Sequence, residues 1–337
     1  MPSPPPRSPK PAQSLRPAQS PRPEQLLRHV EWTVLRRLDG LLQGDYRTLM
    51  RGTGLDLADL REYQHGDDVR HIDWNVTARM QSPYIRQFTE DREMTAWFLL
   101  DLSASLDFGS GDVRKRNLSA GFVAALARLL SKHGNRVGAV IYGAGVERVI
   151  PPGTSRRHVL FMLEQINHRP ESTPHGETRL LDLLQSAGNL LKRRSTVFVV
   201  SDFISEPGWE KALAWLARRH EVLAVHLSDP LERDLPDLGL LTLEDAESGE
   251  QLLVDTHDPA FRNRLTRLAD EREAMLLQGL ASAGVDALEL STDDDLFESL
   301  LRFVELRKQR LRSQGGGLSG PRGKFARHLL PVSQESA

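Results

Sequence analysis

A chain of 337 residues with 39% hydrophobic side chains is long enough for one large domain with additions or for two modest ones, and it can build a sizeable core. The net charge of −2 gives no global attraction to nucleic acid or anionic membranes. With no cysteine, the sequence excludes disulfides, iron–sulfur clusters, cysteine-ligated zinc and thiol nucleophiles.

Residues 1–23 are rich in Pro, Ser, Gln and Arg, and Pro11-Ala12-Gln13-Ser14 recurs as Pro17-Ala18-Gln19-Ser20. Such a stretch cannot bury enough apolar surface to offset its ordering entropy, so a disordered tail is expected. The run Pro4-Pro5-Pro6 also fits an extended docking segment. The tail carries positive charge but lacks the apolar centre of a secretory signal. The longest apolar runs, such as Trp97–Leu100 and Val197–Val200, are far shorter than a membrane span. The expectation is a soluble, cytoplasmic protein.

Leu26, Leu27, Val30, Val34, Leu38 and Leu41 recur at helical spacing and predict a helix over Glu24–Leu42, ended by Gly44. The densely charged stretch Leu60–Trp74 follows. Within it, Asp68 reads as the N-cap of a short helix with Val69, Ile72 and Val76 on one face, stopped by Pro83. Strands are expected over Tyr84–Thr89 and Glu93–Leu100, joined at Asp91-Arg92. Residues 24–94 thus read as a helix-and-hairpin extension.

From Thr95 onward strands alternate with helices. Strand Thr95–Leu100 leads to helix Lys115–His133. Strands Arg136–Tyr142 and Glu147–Ile150 turn at Gly143-Ala144-Gly145. Helices Arg156–Ile166 and Thr178–Lys192, strand Thr196–Val200, helix Trp209–Arg219 and strand Val222–Leu227 follow. Residues 230–255 break the alternation. There the apolar stretches Leu240–Leu243 and Gln251–Val254 flank a polar segment ending in Glu247-Ser248-Gly249-Glu250, the pattern of an inserted hairpin. Helix Pro259–Ala283, strand Ala287–Leu290 and helix Leu296–Arg310 close a domain taken as 95–310, and 311–337 read as a flexible tail. Strands alternating with helices predict an α/β fold: a mostly parallel central sheet with helices on both faces.

Ligands of open α/β sheets bind at the carboxyl ends of the strands. Asp101-Leu102-Ser103-Ala104-Ser105 follows one apolar strand, and Ser201-Asp202 follows another. Alternate residues of an extended turn point the same way, so Asp101, Ser103 and Ser105 can converge. A carboxylate and two hydroxyls suit Mg²⁺, or Mn²⁺, and do not suit zinc. Asp202 adds a second carboxylate, through water. Thr178, where a helix begins after an irregular loop, is the candidate for a hydroxyl from a third loop. Asp and Ser ahead of a helix are also ordinary caps, so the pattern by itself admits both readings.

Asp101-x-Ser103-x-Ser105 resembles the first element of the metal-ion-dependent adhesion site of von Willebrand factor A domains, and Thr178 and Asp202 match the later threonine and aspartate of that site. The stretch Leu60-Arg61-Glu62-Tyr63-Gln64-His65-Gly66-Asp67-Asp68-Val69-Arg70-His71-Ile72-Asp73-Trp74 resembles the signature of the bacterial family known as domain of unknown function 58. Arg86-Gln87-Phe88 and Ser201-Asp202-Phe203 fit it too, and the likeness spans roughly Gly44 to Arg310. Two departures stand out: Leu106 where the family often has Met, and Glu177 where it tends to have Gly before the threonine. The resemblance implies a von Willebrand factor A-like fold and a metal site at Asp101, Ser103, Ser105, Thr178 and Asp202. Members of the family are commonly encoded beside MoxR-type AAA+ ATPases, which implies a chaperone-like or assembly role with such a partner.

Other constellations rank lower. His65, Asp67, Asp68, His71 and Asp73 match no helical metal motif and read as a turn with ion pairs to Arg61 and Arg70. Gly143-x-Gly145 lacks a third glycine and precedes a strand. Neither a phosphate-binding loop of the Gly-x-x-x-x-Gly-Lys type nor a Gly-x-Ser-x-Gly elbow occurs. The basic run Arg302–Arg312 reads as the solvated face of a last helix. Two functions remain. A metal held largely by neutral hydroxyls can accept a carboxylate from a protein partner, giving a binding module and not an enzyme. The alternative is a metal-assisted phosphoester hydrolase using the same aspartates, with His175 as its only nearby base.

Overall fold

Strand β3, Thr95–Asp101, reads TAWFLLD and is buried on both faces, as an inner parallel strand requires. It pairs in parallel with β4 (Arg136–Tyr142) on one side and β6 (Thr196–Ser201) on the other. Strands β5 (Val146–Gly153), β7 (Glu221–Ser228) and β10 (Asp286–Ser291) complete a six-stranded sheet of order β10-β7-β6-β3-β4-β5, in which β5 alone runs antiparallel. The expected mostly parallel sheet is therefore present. The computed structural model describes residues 22–31, 59–64, 67, 69, 72–87, 94–111, 113–167 and 178–303.

The period-two alternation of the inner strands sorts the core into two layers. Phe98, Leu100, Phe198 and Val200 face one way, against helix α3 (Lys115–Lys132) and helix α4 (Arg156–Asn167). Phe98 and Phe198 stack at 5.1 Å, and Phe122 of α3 meets them edge-on. Trp97, Leu99, Val197 and Val199 face the other way, against α5 (Leu180–Leu190), α6 (Trp209–Arg219) and α7 (Pro259–Ala283). Residues 296–303 are helical, and Leu300 and Phe303 are buried in the first layer. Gly138 of β4 is fixed by closeness: a Cβ there would lie 2.9 Å from the Ile150 carbonyl and 3.1 Å from the Trp97 ring.

Helix α1, Pro23–Val30, joins this core. Leu27 and Val30 are buried in the first layer, and Glu31 accepts from Arg128 at 2.6 Å and Arg156 at 3.2 Å. The rest of the expected helix to Leu42 lies outside the described residues, as do the two tails.

The charged segment departs from its expected form. Helix α2 spans Trp74–Met80, and its first turn is capped by Asp73, whose carboxylate accepts from Val76 N at 3.3 Å. Asp68 lies outside the described residues. Val69 is 59% exposed and Ile72 forms a bridge to Ile85, so Val69, Ile72 and Val76 do not make one buried helical face. Strand β2 (Tyr84–Gln87) pairs antiparallel with β1 (Asp59–Glu62) in a separate ribbon.

The inserted hairpin is present as β8 (Leu240–Glu244) and β9 (Gln251–Asp255), antiparallel, with Gly249 at φ 72° in its turn. Helix α5 begins at Leu180, two residues after the expected start, because the backbone of Thr178 is spent on other partners described below. No helix among the described residues is long and apolar enough to cross a membrane.

Candidate metal centre

Parallel pairing sets Leu100 beside Val200, so β3 and β6 end side by side and deliver Asp101 next to Ser201. The Ser201 hydroxyl donates to Asp101 Oδ2 at 2.6 Å, and Ser103 N donates to Oδ1 at 3.0 Å. Ser103 and Ser105 bring their Oγ atoms to 3.1 Å. The convergence differs in form from the extended turn expected, because Ser105 sits in a 3₁₀ turn, Ala104–Asp107. Beyond Ser201 the chain bends sharply. Phe203 takes φ 57°, where non-glycine residues carry strain of order 1–3 kcal/mol, and its N–H donates to Ser201 Oγ at 2.8 Å. That bend holds Asp202 inward, 4% exposed, with Oδ1 accepting from Ile204 N at 3.0 Å.

The other oxygen of Asp202 accepts from the Lys115 ammonium at 2.7 Å, and the same ammonium donates to Glu232 at 2.5 Å. Lys115 is fully buried. It opens α3, where the helix dipole disfavours a cation, so only the carboxylates can hold it charged. Burial pushes its pKa down, but Asp202 and Glu232 more than offset this and raise it. Burial likewise pushes Asp202 up, and Lys115 brings it below the usual carboxylate range. At Glu232 burial wins and the pKa is raised. Asp101 has no cation of its own. Burial, then the charge of Asp202, raise it to about 6 against the pull of Ser201 and Ser103.

These values test whether a cation fits. When ionised, Asp101, Asp202 and Glu232 carry three negative charges against one on Lys115, which leaves a surplus of two. A divalent ion would balance it. The available donors are carboxylate and hydroxyl oxygens, the set that Mg²⁺ and Mn²⁺ prefer. Among the described residues no group of three or more His, Asp or Glu is placed to hold a metal, so a cation here would depend on the serine hydroxyls. The residues fit a hard divalent cation.

Thr178 is buried at the same sheet edge, where Arg179 N donates to the Tyr142 hydroxyl at 3.1 Å. The Thr178 carbonyl accepts from Ser205 Oγ at 2.9 Å and from Glu206 N at 3.0 Å. Its N–H donates to Glu247 Oε2 at 2.7 Å, and its hydroxyl donates to Glu247 Oε1. The hydroxyl is thus turned to the inserted hairpin, not bonded to Ser103 or Ser105. His175 and Glu177 lie outside the described residues, as do His65 and His71.

Sequence reasoning missed Lys115, Glu232 and Glu247, and it named Ser201 at the strand end without giving it a role. Lys115 had a signal: with Arg116 it places two cations in the first turn of a helix, against the dipole. Glu247 had none, since 69 residues separate it from Thr178.

Beyond Asp202 opens a cleft of about 620 Å³ lined by residues including His226, Glu232, Arg233, Arg272 and Arg302. Burial pushes His226 down to about 4, against a smaller upward pull from Asp202. On the cleft wall stands a second buried carboxylate, Asp229. Its Oδ2 accepts from Ser110 N at 2.8 Å, Ser110 Oγ at 3.0 Å and Thr292 Oγ1 at 2.6 Å, and Oδ1 accepts from Leu231 N at 2.9 Å. Burial opposes ionisation there, but these donors hold the pKa below the usual range.

A family model described as "Protein of unknown function DUF58" matches residues 59–275. Uncharacterized proteins of Mycobacterium tuberculosis and Mycobacterium bovis are each 38% identical to this chain over 283 residues, covering 84% of it and 89% of their own length. An uncharacterized protein of Mycobacterium avium is 29% identical over 160 residues, 48% of this chain and 94% of that one. Among solved structures, the conserved hypothetical protein BatB from Bacteroides thetaiotaomicron aligns with a TM-score of 0.42 at 13% identity, covering 65% of this chain and 99% of that one. A von Willebrand factor type A protein from Catenulispora acidiphila aligns at 0.35 and 12%, covering 64% and 42%.

Proposed function

The chain belongs to the DUF58 family, and we propose that it acts as a metal-dependent protein-binding module in the cytoplasm. Asp101, Ser103, Ser105 and Asp202, with Thr178 at the margin, would hold Mg²⁺ or Mn²⁺. The ion would supply a positive centre that attracts a carboxylate of another protein, an attraction strengthened as the contact excludes water. The partner class implied by the family resemblance is a MoxR-type AAA+ ATPase, and the role is chaperone-like assembly.

The observation that carries this reading is the arrangement itself: Asp101 beside Asp202, which shares a single ammonium with Glu232, next to the hydroxyls of Ser103, Ser105 and Ser201. Binding is favoured over catalysis because each carboxylate is already engaged. Asp101 accepts from Ser103 N and Ser201, Asp202 from Lys115 and Ile204 N, and Glu232 from Lys115 and Asp229 N. These contacts fix the carboxylates as holders of positive charge, which supports a binding role over that of a proton-transferring base.

Calorimetric titration with Mg²⁺ and Mn²⁺ tests the first half. Wild type should release or absorb heat and melt at a higher temperature with metal, and Ser103→Ala should weaken both effects while remaining folded. Capture of a purified MoxR-type ATPase on the full chain tests the second half. It should require metal and be reversed by EDTA. Equal capture with metal and with EDTA would remove the metal from the interaction.

A further inference from the structure

The β8–β9 hairpin reaches back to the centre by its tip. Its base is fixed: Thr256 N and Oγ1 donate to the Gly239 carbonyl at 2.8 and 2.7 Å, and Leu238 N donates to Thr256 Oγ1 at 2.8 Å. Its strands are held loosely, with Leu240, Leu252 and Leu253 each more than 60% exposed. At the tip, Asp245 organises the turn by accepting from Glu247 N, Ser248 N and Ser248 Oγ. Among the described residues the other hydrogen bonds of the tip stay inside the hairpin. Only Glu247 crosses to the domain, and it does so with both carboxylate oxygens on one buried residue, Thr178. A turn prebuilt to present one carboxylate at the edge of a cation-seeking site does what a partner's acidic side chain would do.

We propose that Glu247 is a tethered occupant of the position a partner's carboxylate takes, so that the hairpin closes the centre until a partner displaces it. The inference rests on the metal-binding reading above. Its chemistry is competition: Glu247 is at high local concentration, and it can be exchanged because a few hydrogen bonds and little buried apolar surface hold the tip. The partner segment must then be acidic and must approach over the hairpin tip.

The test uses the full chain as wild type, Glu247→Gln, Glu247→Ala and Thr178→Val. Without metal, hydrogen exchange of residues 245–250 should quicken about tenfold in Glu247→Ala and Thr178→Val, because the crossing contact is the tip's main restraint. Unchanged exchange overturns the latch. With Mn²⁺ as probe, binding followed by electron paramagnetic resonance should change less than about twofold in both Glu247 variants. Under the same conditions poly-L-glutamate should bind roughly fivefold tighter to them than to wild type, the conformational cost of opening having been removed. Weaker Mn²⁺ binding in both variants with no gain for poly-L-glutamate overturns the competition and makes Glu247 a support for Thr178 as a ligand. Absence of Mn²⁺ binding in every form, wild type included, sinks the metal reading and the competition with it, and the exchange measurement then decides the latch alone.

Discussion

Two aspartates stand buried at strand ends of the same sheet and have opposite electrostatics. Asp229 receives four hydrogen bonds from neutral donors and is held below the usual carboxylate range. Asp101 takes its donors from Ser103 and Ser201, faces Asp202, and is pushed up to about 6. Glu232 joins the two regions, taking Lys115 on one oxygen and Asp229 N on the other. A buried carboxylate with a full set of donors is a tie between loops. One with fewer donors beside a like charge carries a cost of ionisation that a cation would relieve. Site and scaffold thus differ in how completely their charge is answered, and not in residue type or depth.

Three measurements can break or sharpen that contrast. The largest effect is expected at Lys115. Replacing it with Met leaves the buried Asp202 and the half-buried Glu232 without a counter-charge and should cost about 3–5 kcal/mol in urea unfolding. A loss under about 1 kcal/mol would mean that the ammonium does not hold the site together.

Next comes Asp101→Asn, measured in EDTA across pH. In wild type the folded pKa of about 6 lies above the ordinary value of 3.8. Between these values the native state binds more protons than the unfolded state, so the Asp101 contribution falls as pH rises and its full cost is reached above about 6. The asparagine should remove that fall, while abolishing any stabilisation by Mg²⁺. An unchanged pH profile would show that Asp101 carries no excess charge cost.

Asp229→Asn should act in the opposite sense. An amide nitrogen in place of Oδ2 would meet three donors, so a loss of about 2 kcal/mol is expected. The loss should be the same with Mg²⁺ or EDTA. The contribution of Asp229 is present above the usual carboxylate range and disappears only as pH falls through its depressed pKa. A loss that metal repairs would place Asp229 in the site.

The contrast also marks what a sequence can reveal. The inner strands and most helices were legible because apolar runs such as Thr95–Leu100 and Thr196–Val200 leave few alternatives. Asp101, Ser103, Ser105 and Asp202 were legible because they follow those strands. The start of the short helix after the charged stretch was not: Asp73 is one of several aspartates in that stretch, and the Ile72–Ile85 bridge that takes Ile72 out of a helical face is a tertiary fact. Thr178 was located but not its bonding. Its partner Glu247 lies 69 residues away on an inserted hairpin, and no local pattern reports such a meeting. Lys115 was passed over because a lysine is ordinarily given to the surface, although its place in the first turn of a helix, against the dipole, marked it.

The docking of α1 bears on how the chain is made. Leu27 and Val30 are covered by segments that include α3 and α4, and Glu31 waits for Arg128 and Arg156, 97 and 125 residues further on. At a synthesis rate of roughly 5–20 residues per second, that interval lasts on the order of ten seconds on the ribosome. Throughout it the amphipathic first helix has emerged without the surfaces it belongs to. Birth order and burial order therefore run against each other, and the first layer, which also holds Phe198, Leu300 and Phe303, closes only once the far end of the domain has been made. Chaperones that meet it in this interval would find α1 as the exposed apolar handle.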